Sequence, residues 1–347
     1  MTVFSTWPCA QWGQSDTLKD MKTSISTLLN LKYPIIMAPM FLVTTEEMMI
    51  AAGESGITGC IPALNWRSVE ELATGIKRIK AGTKAPIGVN LIVNKSNPLF
   101  KKQLHQCLDL GVDYFITSLG SPEEVIRESH KNGARVFCDV TDSEYAKKVE
   151  GLGADALIAV NSGAGGHLGN IPATILVPML KAQSKVPVIA AGGVGEGHGL
   201  LAMMALGADA VSIGSPFIAT KESKISDAYK EACVKYGAED IVVTTKLSGS
   251  RCTVINTPYV KKIGTEQNFL ESFLNKNKQM KKYAKMVTFW KGMKLLEKAA
   301  FSASYKSGWC AGTSIEFTKK QSSVSEVVNE LIQSYELAEK ELKNRWS

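Results

Sequence analysis

Between residues 33 and 216 the chain repeats one unit eight times: a short apolar run, a turn signal, then a longer amphipathic segment. The runs are 34–39 (PIIMAP), 57–63 (ITGCIPA), 85–92 (APIGVNLI), 114–119 (YFITSL), 135–141 (RVFCDVT), 156–160 (ALIAV), 186–193 (VPVIAAGG) and 210–215 (AVSIGS). Several are apolar throughout rather than alternating, the pattern of a parallel strand covered by helices on its faces. The intervening stretches 68–80, 121–131 and 142–152 have helical spacing, and Ser68 with Glu71 and Ser121 with Glu124 have the separation of a capping box. Gly111, Gly153 and Gly207 each stand two residues before an aspartate (Asp113, Asp155, Asp209) and mark helix-to-strand turns, where glycine takes the left-handed cap.

Strands alternating with helices predict a parallel sheet joined by right-handed crossovers, and eight repeats favour closure. The expected fold class is therefore α/β, a TIM (β/α)8 barrel with a helical C-terminal appendage. An open doubly wound sheet would want GxGxxG after its first strand, where this chain has Ala38-Pro39-Met40. The repeats divide the chain into an extension (1–30), a barrel (31–223), an insertion or lid (224–302) that reads as helical, lysine-rich and free of strands, and a C-terminal segment (303–347) that packs back on the barrel. Lys276 to Lys285 reads as a basic, solvated face.

Composition narrows the function classes. The formal charge of +7 is too modest for a nucleic-acid partner, but a positive field favours an anionic ligand such as a phosphate-bearing cofactor. Seven cysteines, an odd number without CxxC spacing, argue against a disulfide framework or a zinc cluster and for reduced thiols in a cytoplasm. No run of about 20 apolar residues is present, so no membrane span is expected. HExxH, GxSxG and P-loop motifs are absent from the sequence, which leaves metalloprotease, serine hydrolase and nucleoside triphosphatase chemistry without residues.

A barrel of this kind carries its site at the C-terminal ends of its strands. The seventh and eighth runs end in Gly192-Gly193 and Gly214-Ser215, where backbone N–H groups can approach a phosphate closely. The third run places Asn90 at its end, an amide able to donate to and accept from a heteroaromatic edge. The first ends in Ala38-Pro39-Met40, a small, rigid apolar surface for a flat ring. The sixth enters the loop Asn161-Ser-Gly-Ala-Gly-Gly-His167, whose glycines let an imidazole reach a ligand and exchange a proton near neutral pH. His105, His130 and His198 fall in helices or surface turns and receive no role.

With those residues in place, the chain resembles the nitronate monooxygenase family, formerly 2-nitropropane dioxygenases, and is similar to the related FMN-containing enoyl-ACP reductase II enzymes. The matching pieces are PIIMAPM (34–40), GVNL (88–91), AGGHLG (164–169), PVIAAGGV (187–194) and LGADAVSIGSPFIATKES (206–223), with weaker echoes in SGSR (248–251) and WCAGT (309–313). The resemblance implies FMN as cofactor. Ala38, Pro39, Met40, Asn90, Ser118 and Thr141 would lie against the flavin, with Ala164, Gly165 and Gly166 beside it. Gly192, Gly193, Gly214 and Ser215 would hold its phosphate, and His167 would be the catalytic base or electrostatic partner of the substrate. No metal ligand is implied.

The chain departs from the family at Gly163, where an acidic residue is frequent, and at Gly214-Ser215-Pro216-Phe217, where GTRF is frequent and an arginine is therefore missing. The implied activity is oxidation of alkyl nitronates or nitroalkanes by dioxygen to a carbonyl compound and nitrite. The alternatives are an NAD(P)H-dependent enoyl reductase acting on an enoyl thioester, with an acyl carrier protein docking on the basic appendage, and a non-catalytic flavin-binding sensor. The substrate is expected to be a small molecule, with neither nucleic acid nor membrane as partner and a homodimer as one assembly open to the chain.

Overall fold

The computed structural model describes residues 22–93, 97–246, 250–266 and 308–346. Eight parallel strands close into a barrel: β1 (Ile35–Met37), β2 (Thr58–Pro62), β3 (Ile87–Ile92), β4 (Tyr114–Ser118), β5 (Arg135–Val140), β6 (Ala156–Val160), β8 (Val188–Ala191) and β9 (Ala210–Ile213). Strand β7 (Gly166–His167) lies outside this ring, and β9 returns to β1 with Ile36 opposite Ser212. The helices follow in alternation: α2 (Glu46–Glu54), α3 (Val69–Gly82), α4 (Phe100–Asp109), α5 (Glu123–Lys131), α6 (Ser143–Gly151), α7 (Ala173–Gln183) and α8 (Gly197–Ala205). The eight predicted runs are the eight barrel strands, most of them trimmed by a residue or more at an end.

Local chemistry accounts for the element boundaries. The side chains of Thr45, Ser68 and Asp142 accept from the backbone N–H three residues on and start α2, α3 and α6. Ser121 does not cap α5; Pro122 occupies that position without a side-chain bond, its fixed φ already near the helical value. Gly111, Gly153 and Gly207 adopt positive φ as the turn requires. The aspartate two residues after each glycine has a role of its own. Asp113, Asp155 and Asp209 each accept an N–H at the start of the preceding barrel strand, from Ile87, Val136 and Val188, at 2.8, 2.8 and 2.9 Å. These three repeats thereby satisfy a strand-end donor with their own carboxylate.

The barrel interior is packed, not open. Ile36, Cys60, Tyr114, Ile116, Phe137, Ile158 and Ile189 fill it, with the Tyr114 and Phe137 rings stacked at 5.1 Å. A Cβ on Gly88 would stand 2.2 Å from the Tyr114 ring, so glycine makes room for it. Part of the N-terminal extension packs on this interior: α1 (Ser24–Leu28) and its C-cap contribute Ile25, fully buried, and Leu29 to the cluster. Burial of such a side chain contributes about 1.5–3 kcal/mol. Residues 1–21 lie outside the described residues.

Beyond β9 come a short helix α9 (Ser215–Ile218) and α10 (Asp227–Lys235). The helical, strand-free reading of residues 224–302 is corrected here. Strands β10 (Ile241–Thr244) and β11 (Cys252–Ile255) form an antiparallel pair, β11 extends it by pairing with β7, and α11 (Pro258–Ile263) follows. Both strands are four-residue β-branched runs between polar turns, too short for their alternation to stand out. The basic stretch 276–285 lies outside the described residues. The last helix, α12 (Val324–Trp346), packs on α8 and α2, and Gly197 permits its approach, since a Cβ there would stand 1.9 Å from the Tyr335 nitrogen. Among the described residues no helix is long and apolar enough to cross a membrane.

Candidate active site

Every residue assigned a site role from the sequence lines a single cavity of about 760 Å³ at the C-terminal ends of the barrel strands. Ala38, Pro39 and Met40 leave β1 along its rim. The Ala38 N–H donates to the Ile213 carbonyl at 2.8 Å and the Met40 N–H to Thr44 Oγ1 at 3.0 Å, so this apolar turn is held rigidly. Thr141, one residue past β5, donates to Asp142 Oδ2 at 3.2 Å.

Asn90 is more constrained than its residue type suggests. Its Nδ2 donates to the Ile116 carbonyl at 3.1 Å and to Ser118 Oγ at 2.9 Å. The carbonyl can only accept, which fixes the orientation of the amide. Both amide hydrogens are thus spent inside the wall, and Oδ1 is the atom left for a ligand. The expectation that this amide both donates and accepts toward a ring edge is corrected: it offers an acceptor, suited to an N–H. Ser118 Oγ passes the chain on, donating to Asp139 Oδ2 at 2.6 Å. Asp139 also lines the cavity, and burial pushes its carboxyl up to about 6, against the lowering effect of the Ser118 bond.

The His167 loop is anchored at both ends. Asn161 Oδ1 accepts from the Gly163 N–H at 2.7 Å and its Nδ2 donates to the Gly192 carbonyl at 2.9 Å, tying the loop to the neighbouring strand. At the far end, β7 pairs Gly166 with Thr253 and His167 with Cys252, and Thr253 Oγ1 donates to the Ala164 carbonyl at 3.1 Å. His167 keeps accessible surface because it faces the cavity, while the protein packed around it lowers its pKa below the ordinary imidazole value by desolvation. The neutral imidazole therefore predominates at pH 7.

Across the cavity lie the two glycine-bearing turns. Gly192 and Gly193 have φ of 109° and 82°, conformations that favour glycine. A Cβ on Gly192 would stand 2.4 Å from the Ala164 nitrogen; one on Gly193 would meet nothing within 4 Å. Gly192 is thus needed for space and conformation, Gly193 for conformation alone. Gly214 precedes α9, and Ser215 Oγ accepts from the Gly312 N–H at 2.9 Å. The WCAGT segment closes over this point: Gly312 and Gly165 approach so nearly that a Cβ on Gly165 would stand 2.8 Å from the Gly312 nitrogen, and Trp309 stacks on Tyr229 at 5.4 Å.

Sequence reasoning gave no role to several residues of this cavity. Asp139 was findable as the one acid inside an apolar run. Asn161 stood at the head of the loop already singled out. Tyr145, Lys148, Arg251, Cys252 and Cys310 also line the cavity; Arg251 and Cys310 lie in the SGSR and WCAGT echoes, but nothing in the sequence aims them at the site, because they arrive with Cys252 from segments beyond the barrel, and Tyr145 and Lys148 from a helix face.

A closed (β/α)8 barrel whose glycine-rich mouth surrounds a histidine defines the class: a barrel enzyme with its site in the loops. Comparison with known proteins gives the family. The nitronate monooxygenase family matches residues 22–334, and the chain belongs to it; like its relatives, the protein is an oxidoreductase. It is 30% identical to a probable nitronate monooxygenase of Staphylococcus saprophyticus, covering 78% of this chain and 92% of that one. It is equally 30% identical over 246 residues to (3aS,4S,5R,7aS)-5-hydroxy-7a-methyl-1-oxo-octahydro-1H-indene-4-carboxyl-CoA dehydrogenase of Mycobacterium tuberculosis, covering 70% of this chain and 68% of that one. Among solved structures, FabK of Thermotoga maritima superposes with a TM-score of 0.80 at 28% identity, covering 94% of this chain and 99% of that one.

Flavin use is typical of this family, and the cavity fits such a group. The turn at Gly192-Gly193 is a cradle that side chains would fill, Asn90 Oδ1 is an acceptor awaiting an N–H, and residues 38–40 offer a flat apolar wall.

Proposed function

We propose that the protein is an FMN-dependent nitronate monooxygenase. The observation that carries the reading is the placement of His167 in the same cavity as the double-glycine turn and the Asn90 acceptor. Ala38, Pro39, Met40, Asn90, Ser118 and Thr141 would hold the ring, Ala164, Gly165 and Gly166 would flank it, and Gly192, Gly193, Gly214 and Ser215 would hold the phosphate. FMN supplies the electron-accepting chemistry that no side chain provides.

The chain's own work is binding and proton transfer. A nitroalkane entering the cavity meets His167, whose neutral imidazole takes the proton from the carbon bearing the nitro group. The resulting imidazolium then stands beside the nitronate oxygens and offsets their charge. A substrate supplied as nitronate needs only the hydrogen bond from the neutral ring. The β7–β11 pairing and the Asn161 bonds hold the imidazole in place through both states.

A second reading is favoured by the superposition with FabK and the carboxyl-CoA dehydrogenase relative. It is a flavin-dependent oxidoreductase acting on a carboxylic thioester, with Lys148 and Arg251 on the cavity wall facing the anionic carrier. Anaerobic mixing of the flavin-loaded protein with propyl nitronate, and separately with NAD(P)H, separates the two. Bleaching of the flavin absorbance by nitronate and not by NAD(P)H supports the monooxygenase; bleaching by NAD(P)H alone moves the assignment to the thioester reading.

A further inference from the structure

We propose that Asp139 is a positioning residue that sets the charge beneath the bound flavin ring, acting through its place in the Asn90–Ser118–Asp139 chain. The proposal deepens the flavin reading and rests on it. The geometry is direct. Asp139 is on β5, faces the cavity, and receives the Ser118 hydroxyl at 2.6 Å, while Ser118 in turn receives the Asn90 amide at 2.9 Å. Three neighbouring strands, β3, β4 and β5, are thus linked across the cavity wall by one directed chain of hydrogen bonds that ends on a carboxyl.

The surroundings leave this carboxyl without a counter-charge among the described residues. The groups that interact with it are Ser118 on β4, Cys60 on β2, Cys138 on its own strand and Tyr145 on α6. None is a cation, and burial holds the two thiols and the phenol neutral well above pH 8. Asp139 is therefore the one member of this group that changes charge between pH 4 and 8, with its carboxyl pushed up to about 6. His167, which also lines the cavity, is carried by the loop after β6. A carboxylate in a low-dielectric wall disfavours electrons entering a ring placed against it; a neutral carboxyl does not. Asp139 so couples the flavin's electron affinity to pH, through a group that need not touch the substrate.

The test is the reduction potential of the bound flavin in wild type and Asp139→Asn, measured at pH 5 and pH 8, with an infrared pH titration of the flavin-free proteins beside it. The expected result is a variant potential above wild type at pH 8 and equal to it at pH 5, and a protonated-carboxyl band near pH 6 in wild type that the variant lacks. Ser118→Ala keeps the carboxyl but removes its hydrogen-bond donor, so the pH at which the wild-type potential inflects moves upward. A gap of the same size at both pH values, or no gap, overturns the proposal and leaves the flavin reading standing. A protein that takes up no flavin overturns that reading and the proposal with it, whatever the infrared band shows.

Discussion

Thr253 Oγ1 donates to the Ala164 carbonyl at 3.1 Å across 89 residues of sequence, joining the insertion after the barrel to the loop that carries His167. The bond is buried, and it lies next to the β7–β11 pairing that places Cys252 opposite His167. Thr253→Val keeps the shape and removes the donor, leaving the Ala164 carbonyl short of a partner at a cost of about 1–2 kcal/mol. Urea unfolding reads that loss. With the loop loosened, turnover falls on the order of 10-fold while flavin content stays near wild type, since a misplaced catalytic group costs rate before it costs binding. Unchanged turnover in a destabilised variant means that the hairpin does not position the histidine.

The His167 shift predicts a pH profile. Burial disfavours the imidazolium, so the folded pKa lies below the unfolded value of about 6.5. The neutral base persists to lower pH than in water, and kcat/KM for a nitroalkane stays level above about 6.5 and declines only as pH falls through the depressed folded value. Stability follows the same sign: below about 6.5 the unfolded chain binds a proton that the native imidazole resists, so folding weakens as the solution is acidified. A rate that falls already between pH 8 and 7 contradicts the assignment.

Asp139 has the opposite sign. Its native carboxyl titrates at about 6 against an ordinary 3.8, so the native state binds the proton more tightly than the unfolded chain. That contribution is fully present below about 4 and is lost as pH rises through 6. Asp139→Asn, measured on the flavin-free protein, is therefore more stable than wild type by about 2–3 kcal/mol at pH 8 and equal to it at pH 4, taking about 1.4 kcal/mol per pKa unit. Denaturant midpoints at the two pH values check this.

Two glycines separate folding from binding. Gly197→Ala would drive a methyl into the Ser334–Tyr335 backbone of α12 and force α8 and α12 apart, costing about 3 kcal/mol or more with the cavity untouched. Gly193→Ala meets no neighbour, so its cost is the strain of φ 82°, about 1 kcal/mol, yet it alters the turn meant for the phosphate. Flavin affinity should fall by at least 10-fold in Gly193→Ala and remain near wild type in folded Gly197→Ala. Equal affinities in the two variants would remove the phosphate role from the turn.

The repeat of apolar runs fixed the barrel because a parallel strand buried on both faces has a local signature, and eight of them with glycine-capped helices leave few closed arrangements. The residues ending those runs were legible for the same reason: in this fold a strand's end is the mouth, so Ala38, Asn90, Gly192 and Gly214 could be placed from position, while Ser118 came from the family resemblance. What lay outside that logic was set by contacts distant in sequence. The β10–β11 hairpin reads as helix from sequence because its strands are four residues long, and β11 is completed by pairing with β7, some 85 residues earlier. By residue type the Asn90 amide can both donate and accept, but in the fold Ile116 and Ser118 take its donors. Sequence by itself determined the scaffold and the ring of candidate residues, through local periodicity and turn chemistry. Only the tertiary structure decided which hydrogen-bonding atoms face the cavity and that Asp139 sits uncompensated in its wall, because burial and partnering depend on what the rest of the chain brings alongside.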